Sequence, residues 1–118
     1  MTPTERPATV VFVDVDDTLV RSFGKKRIPI SSVIEQVKGL HRDGAVLYCW
    51  SSGGARYAEE SAQELGITEC FSGFLTKPHV MIDDQPPAEW HRLLVVHPNE
   101  AASRNLDDYE DELAGRRA

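Results

Sequence analysis

Four continuous apolar runs punctuate the chain: Thr9–Val13, Val46–Trp50, Val80–Ile82 and Leu93–Val96. They are rich in β-branched and aromatic residues and end abruptly in polar ones. Strands covered on both faces by helices have this pattern. Helical periodicity fills the spaces between. Ser32-x-x-Glu35 has the form of a capping box, and behind it Val33, Ile34, Val37, Leu40 and His41 share a face, with Gly44 as a stop. From Ala55, the residues Ala58, Ala62 and Leu65 repeat at helical spacing, and Gly66 supplies a left-handed cap. A last helix is expected from an Asn99 cap, burying Ala102, Leu106, Tyr109 and Leu113. Its Asp107–Glu112 stretch is expected to be a solvated face. Acids near a helix C-terminus oppose the macrodipole, so that end should fray. Phe71–Leu75 is a candidate for a short extra strand. Strands alternating with helices predict an α/β fold with a mostly parallel sheet.

Length and charge narrow the class. At 118 residues the chain is one domain's worth of material. Residues 1–8, with two prolines, are expected to be a flexible lead-in to a single domain over 9–118. Thirteen Lys and Arg against nineteen Asp and Glu leave a net charge of -6, which argues against broad duplex DNA binding. No apolar stretch approaches the roughly 18 residues of a membrane span, and the N-terminus lacks a secretory apolar segment. Cys49 and Cys70 are too few for a disulfide framework. A cytoplasmic location is the resulting expectation.

In an open parallel sheet, ligands bind beyond the carboxyl ends of the strands. The residues there are polar in three places: Asp14-Val15-Asp16-Asp17-Thr18, Ser51-Ser52-Gly53-Gly54, and Asp83-Asp84. Clustered carboxylates repel unless a cation joins them. Oxygen donors without Cys or His favour Mg²⁺ over Zn²⁺, and Mg²⁺ commonly shares its shell with phosphate oxygens. Asp14 and Asp16, at i and i+2 of an extended segment, point the same way. One can attack phosphorus while the other passes a proton to the leaving oxygen. Ser51 offers a hydroxyl, and the N–H groups from Ser52 onward open a helix that favours an anion. Lys77, the only lysine after Lys38, is the best cation for the phosphate.

These residues resemble those of the haloacid dehalogenase superfamily of phosphohydrolases. Val11-Phe12-Val13-Asp14-Val15-Asp16-Asp17-Thr18-Leu19-Val20 is similar to that family's first motif, a hydrophobic strand followed by Asp-x-Asp-x-Thr. Ser51 matches the second motif, Lys77 resembles the third, and Asp83-Asp84 resembles the fourth. The likeness runs from about residue 9 to about residue 97. It implies a three-layer, Rossmann-like sandwich. It implies Asp14 as the nucleophile that forms an aspartyl-phosphate and Asp16 as general acid and base. Asp14, the backbone carbonyl of Asp16, and Asp83 would bind Mg²⁺, helped by Asp84. Ser51 and Lys77 would hold the phosphate, and Thr18 would support the loop. Asp17 stands where many members have Gly, and Lys77 is unusually close to Asp83.

Neither Leu19–Ser31 nor Gly53–Lys77 has room for the cap domain many members carry, so the site should be open. An open site suits large phosphoesters, or a lid borrowed from a second copy. The segment Arg21–Arg27 falls where the family has a β-hairpin flap, and Lys25, Lys26 and Arg27 would attract an anionic substrate. Two rival readings exist. A phospho-accepting receiver module needs an acceptor Asp on a middle strand, yet Asp43, in a helix-end turn, is the only aspartate between Asp17 and Asp83. A catalytically silent member that only binds a partner is the other. His41 is expected to be structural. His79, His91 and His97 form no metal spacing, and Cys49 is expected to be an inert interior thiol.

Overall fold

The computed structural model describes residues 7–101 and 103–116. Strand β1 (Val10–Asp14) is followed by a hairpin of β2 (Val20–Phe23) and β3 (Lys26–Pro29). Helix α1 (Ser31–Arg42), strand β4 (Val46–Ser51), helix α2 (Ala55–Leu65) and strand β5 (Gly73–Thr76) come next. The short α3 (Pro98–Ala101) and α4 (Leu106–Ala114) close the chain. The sheet is parallel with order β1-β4-β5. Asp14 lies opposite Trp50, and Ser51 opposite Thr76, so polar strand ends line one rim.

The alternation along the strands decides what is buried. Val13, Leu47 and Cys49 face a core that also takes Val33, Val37 and Leu40 from α1 and Ala58 and Ala62 from α2. Stepping from β1 to β4 to β5 by right-handed crossovers puts both connecting helices on one face of the sheet. The other face carries Val10, Phe12 and Leu75, which are 57%, 45% and 40% exposed. There Phe12 packs edge-on against Trp50, with ring centroids 4.7 Å apart.

Two predicted strands do not form. The third strand is Gly73–Thr76, the short candidate, while Val80 and Ile82 are 78% and 98% exposed. The chain is drawn into the sheet early by the buried Ile67, Cys70 and Phe71, and Ser72 N–H donates to Leu47 O at 2.7 Å. Val80–Ile82 has no such anchor, and a three-residue apolar run makes a strand only where a neighbour supplies its ladder. Leu93–Val96 is also irregular, yet Leu94 and Val96 still pack against the core.

The helix ends differ from expectation in detail. Ile30, not Ser32, is the N-cap of α1, and it makes no side-chain cap. Glu35 instead faces Lys38 at 3.7 Å. Val33, Val37 and Leu40 are buried as expected, whereas His41 is exposed. Gly66 caps α2 in the left-handed conformation, φ 72°, as its sequence position implied. The expected single last helix is two pieces, parted at residues 103–105. Asn105, not Asn99, caps α4, through a reciprocal capping box with Asp108. Asp107 and Asp108 therefore lie in a first turn, where the dipole favours them. Leu106 and Tyr109 are buried and Leu113 is half-buried, while Ala102 lies outside the described residues, as do residues 1–6 of the expected lead-in. No helix among the described residues is long and apolar enough to cross a membrane.

Candidate functional site at the carboxyl rim of the sheet

Asp14 ends β1 and turns its carboxylate toward the rim. Lys77 Nζ lies 3.1 Å from its Oδ1. Thr18 Oγ1 is 3.4 Å from its Oδ2. Two segments far apart in sequence thus meet at one carboxylate. Lys77 is held there by its backbone: its N–H donates to Ser51 O at 3.0 Å, adding a rung to the β4–β5 ladder. Its ammonium also lies 5.8 Å from the centre of the Trp50 ring, a cation–π distance.

Loop 15–19 is built tightly. The N–H groups of Leu19 and Val20 both donate to Val15 O, at 2.9 and 3.2 Å, and Val15 and Leu19 are fully buried. Asp17 carries a positive φ of 61°, and its N–H donates to Val20 O at 2.7 Å. Asp is among the few side chains that tolerate this left-handed conformation. The backbone explains why glycine would suit the position and why Asp17 still permits the loop.

Ser51 is almost fully buried at 1% exposure, and its Oγ accepts from Gly53 N–H at 3.0 Å. Gly54 has φ 111°, which only glycine adopts freely, and it turns the chain into α2. Ala55 N–H, in the first turn of α2, is taken by Thr76 Oγ1 at 3.0 Å. Ser52 is exposed at this turn. Burial, with Asp14 nearby, pushes the Cys49 thiol up to about 12, which suits the expected inert role.

Tyr57 was not singled out by the sequence. Its hydroxyl donates to Asp16 Oδ1 at 2.7 Å. Accepting that bond, Asp16 holds the phenol above its ordinary pKa, with burial adding to the effect. The available signal was Ser61, a polar residue on the Ala58–Ala62 stripe of the helix. Buried hydroxyls need partners, and Ser61 finds one in Arg27, at 2.9 Å. Arg27 also bonds Glu64 at 2.7 Å and Tyr57 at 3.2 Å. Arg27, one of the three cations expected to attract substrate, thus turns its guanidinium to α2. Lys25 and Lys26 are exposed at the hairpin tip.

The acidic pair expected from the third run is not gathered in. Asp83 and Asp84 are exposed, and Asp83 Oδ1 accepts from Gln85 N–H at 2.9 Å, closing a local turn. With Val80–Ile82 outside the sheet, no strand aims these carboxylates at Asp14. Among the described residues no three His, Cys, Asp or Glu side chains are grouped as metal ligands. Asp14 and Asp16 are of the right kind for a hard cation. As arranged, no three of the four expected carboxylates form one group. Asp43 is the C-cap of α1 and precedes β4, so it does not stand at a strand's carboxyl end, where a receiver's acceptor would.

The family model described as protein of unknown function (DUF705) matches residues 1–111. The chain belongs to this family. The matched span of this DUF705 member includes every rim residue named above. A crystal structure of a structural-genomics target from Vibrio cholerae is similar over 92% of this chain and 99% of that one, with TM-score 0.55 and 22% identity. Likeness at that identity speaks for the fold. No curated protein matches.

Proposed function

We propose that the chain is a capless phosphomonoester hydrolase acting through an aspartyl-phosphate on Asp14. The supporting observation is the meeting at Asp14 of Lys77 and Thr18, beside the buried Ser51 and the start of α2. A nucleophilic carboxylate, a cation and a serine hydroxyl at one rim suit a phosphate dianion.

In the first half-reaction an Asp14 oxygen attacks phosphorus. The bond from phosphorus to the leaving oxygen breaks, and the Asp16 carboxyl gives that oxygen its proton, releasing an alcohol. In the second, Asp16, now a carboxylate, takes a proton from water as the water oxygen attacks the phosphorus. The bond to Asp14 breaks, inorganic phosphate leaves, and both side chains return to their starting states. Lys77 balances charge on the phosphoryl oxygens, with the hydroxyls of Ser51 and Ser52 beside it. Lys25 and Lys26 would attract a further anionic part of the substrate.

The finer architecture of this proposal is the three-layer sandwich of the haloacid dehalogenase superfamily. The hard oxygens of Asp14 and Asp16 would hold Mg²⁺, which would supply positive charge to the phosphoryl oxygens. The test is a panel of phosphomonoesters, with and without Mg²⁺, on the parent chain and Asp14→Asn. Turnover in the parent, none in the variant, and a borohydride-reducible acyl phosphate on the Asp14 peptide are expected. Equal turnover in both chains would overturn the nucleophile. Binding of a phosphorylated ligand without any turnover would favour the silent binding protein.

A further inference from the structure

The β2–β3 hairpin is tied to α2 by one side chain. Arg27 reaches Glu64, Ser61 and Tyr57 at 2.7, 2.9 and 3.2 Å, and its guanidinium carbon lies 5.3 Å from the Tyr57 ring centre. Ser61 is 1% exposed, so the hydroxyl that receives Arg27 is a buried polar group placed against an apolar helix stripe. Core packing alone would have used alanine there, as it does at positions 58 and 62. From Tyr57 the chain of contacts continues to Asp16 Oδ1 at 2.7 Å. The phenol thus accepts from the hairpin and donates to the acid of the rim. Asp16 itself is exposed on loop 15–19 and has no other hydrogen bond among the described residues. Tyr57 occupies Oδ1 and leaves Oδ2 for the leaving oxygen of a substrate.

We infer that Tyr57 is the positioning residue for Asp16, and that docking of the hairpin through Arg27 holds Tyr57 in that posture. This rests on the phosphatase reading for the role of Asp16. The contact network itself does not depend on it. An exposed carboxylate without this contact samples several rotamers, of which few aim a proton at a leaving oxygen. A hairpin that undocks removes Arg27 from the phenol and loosens the acid, so substrate contacts that seat the hairpin also assemble the site.

Leaving-group dependence separates positioning of an acid from general damage. A nitrophenolate leaves with little proton donation, whereas an alkoxide needs it. Tyr57→Phe is expected to lower kcat for glycerol 3-phosphate about ten-fold more than for p-nitrophenyl phosphate, with KM for either ester within about two-fold. Arg27→Met is expected to show the same bias. The double variant should match Tyr57→Phe instead of multiplying the two losses, because Arg27 acts through Tyr57. Equal losses on both esters, or multiplying losses, would overturn the inference. Hydrogen exchange supplies the readout independent of catalysis. Amides of residues 20–28 should exchange about three-fold faster or more in Tyr57→Phe, with β4 unchanged, and unchanged hairpin exchange would overturn the coupling. A parent chain inactive on every ester overturns the phosphatase reading and the acid's role together, while exchange still decides whether Tyr57 and the hairpin are coupled.

Discussion

Replacing Lys77 by Met separates what the lysine does for the fold from what it does for a phosphate. Methionine keeps the apolar stem that lies by Trp50 and removes the charge. The ammonium lies 3.1 Å from Asp14 Oδ1, with the two side chains 38% and 30% exposed. A unit-charge pair at that separation is worth about 1.3 kcal/mol in bulk water. Solvent screening and side-chain ordering reduce such partly exposed pairs to about 0.2–1 kcal/mol. For a domain of this size that is a fall in Tm of at most about 4 °C. The catalytic loss should be far larger. Removing one preformed electrostatic partner of a transition-state oxyanion lowers kcat by about 10²–10³, or about 3–4 kcal/mol of barrier. A melting curve and kcat on p-nitrophenyl phosphate read the two quantities from one preparation. A turnover loss below about ten-fold in a folded variant would refute the phosphate-holding role. A Tm fall beyond about 10 °C would refute the assignment of this pair as a weak one.

Other perturbations test the frame around the site. Leu47→Ala removes a fully buried side chain from the middle of β4 and should cost about 2–5 kcal/mol in a urea titration. Asp17→Val puts a β-branched residue at φ 61° and should destabilise by about 1–2 kcal/mol, whereas Asp17→Gly should not, as paired thermal melts would show. Cys49 has a folded pKa of about 12 against an ordinary value of 9.0, so its proton is released first in the unfolded chain. Its contribution is fully present below pH 9 and is lost as pH rises toward 12, at up to about 1.4 kcal/mol per pH unit. Stability of the parent should therefore fall faster than that of Cys49→Ala across this window. At pH 8 a thiol reagent should leave Cys49 unmodified until the chain unfolds.

Local patterns were sufficient wherever a segment's own residues settle its conformation. The apolar runs ending in Asp14 and Ser51 became the parallel pair β1 and β4, because β-branched and aromatic side chains favour extended backbone, although only one face of the pair is buried. Gly66 ended α2 because the left-handed cap it adopts strains other residues. A hairpin formed at Arg21–Arg27, where the resemblance placed one, between β2 and β3. Val80–Ile82 failed for the opposite reason: a strand's hydrogen bonds belong to its neighbour, and no local feature reveals whether one is free. The same dependence explains the misplaced cap. Asn99 and Asn105 offer similar caps, and packing of Leu106 and Tyr109 against the core selected the second.

By itself, then, the chain's sequence determined an α/β domain with Asp14, Asp16, Thr18 and Ser51 at strand ends, since alternation and run length are properties of each segment alone. Tertiary structure brings the expected cation, Lys77, to Asp14 across the rim, and it alone decided that Arg27 turns to α2 and that Tyr57 meets Asp16. Those contacts join residues 30 to 63 positions apart. Their geometry follows from strand order and helix placement, which no single segment encodes.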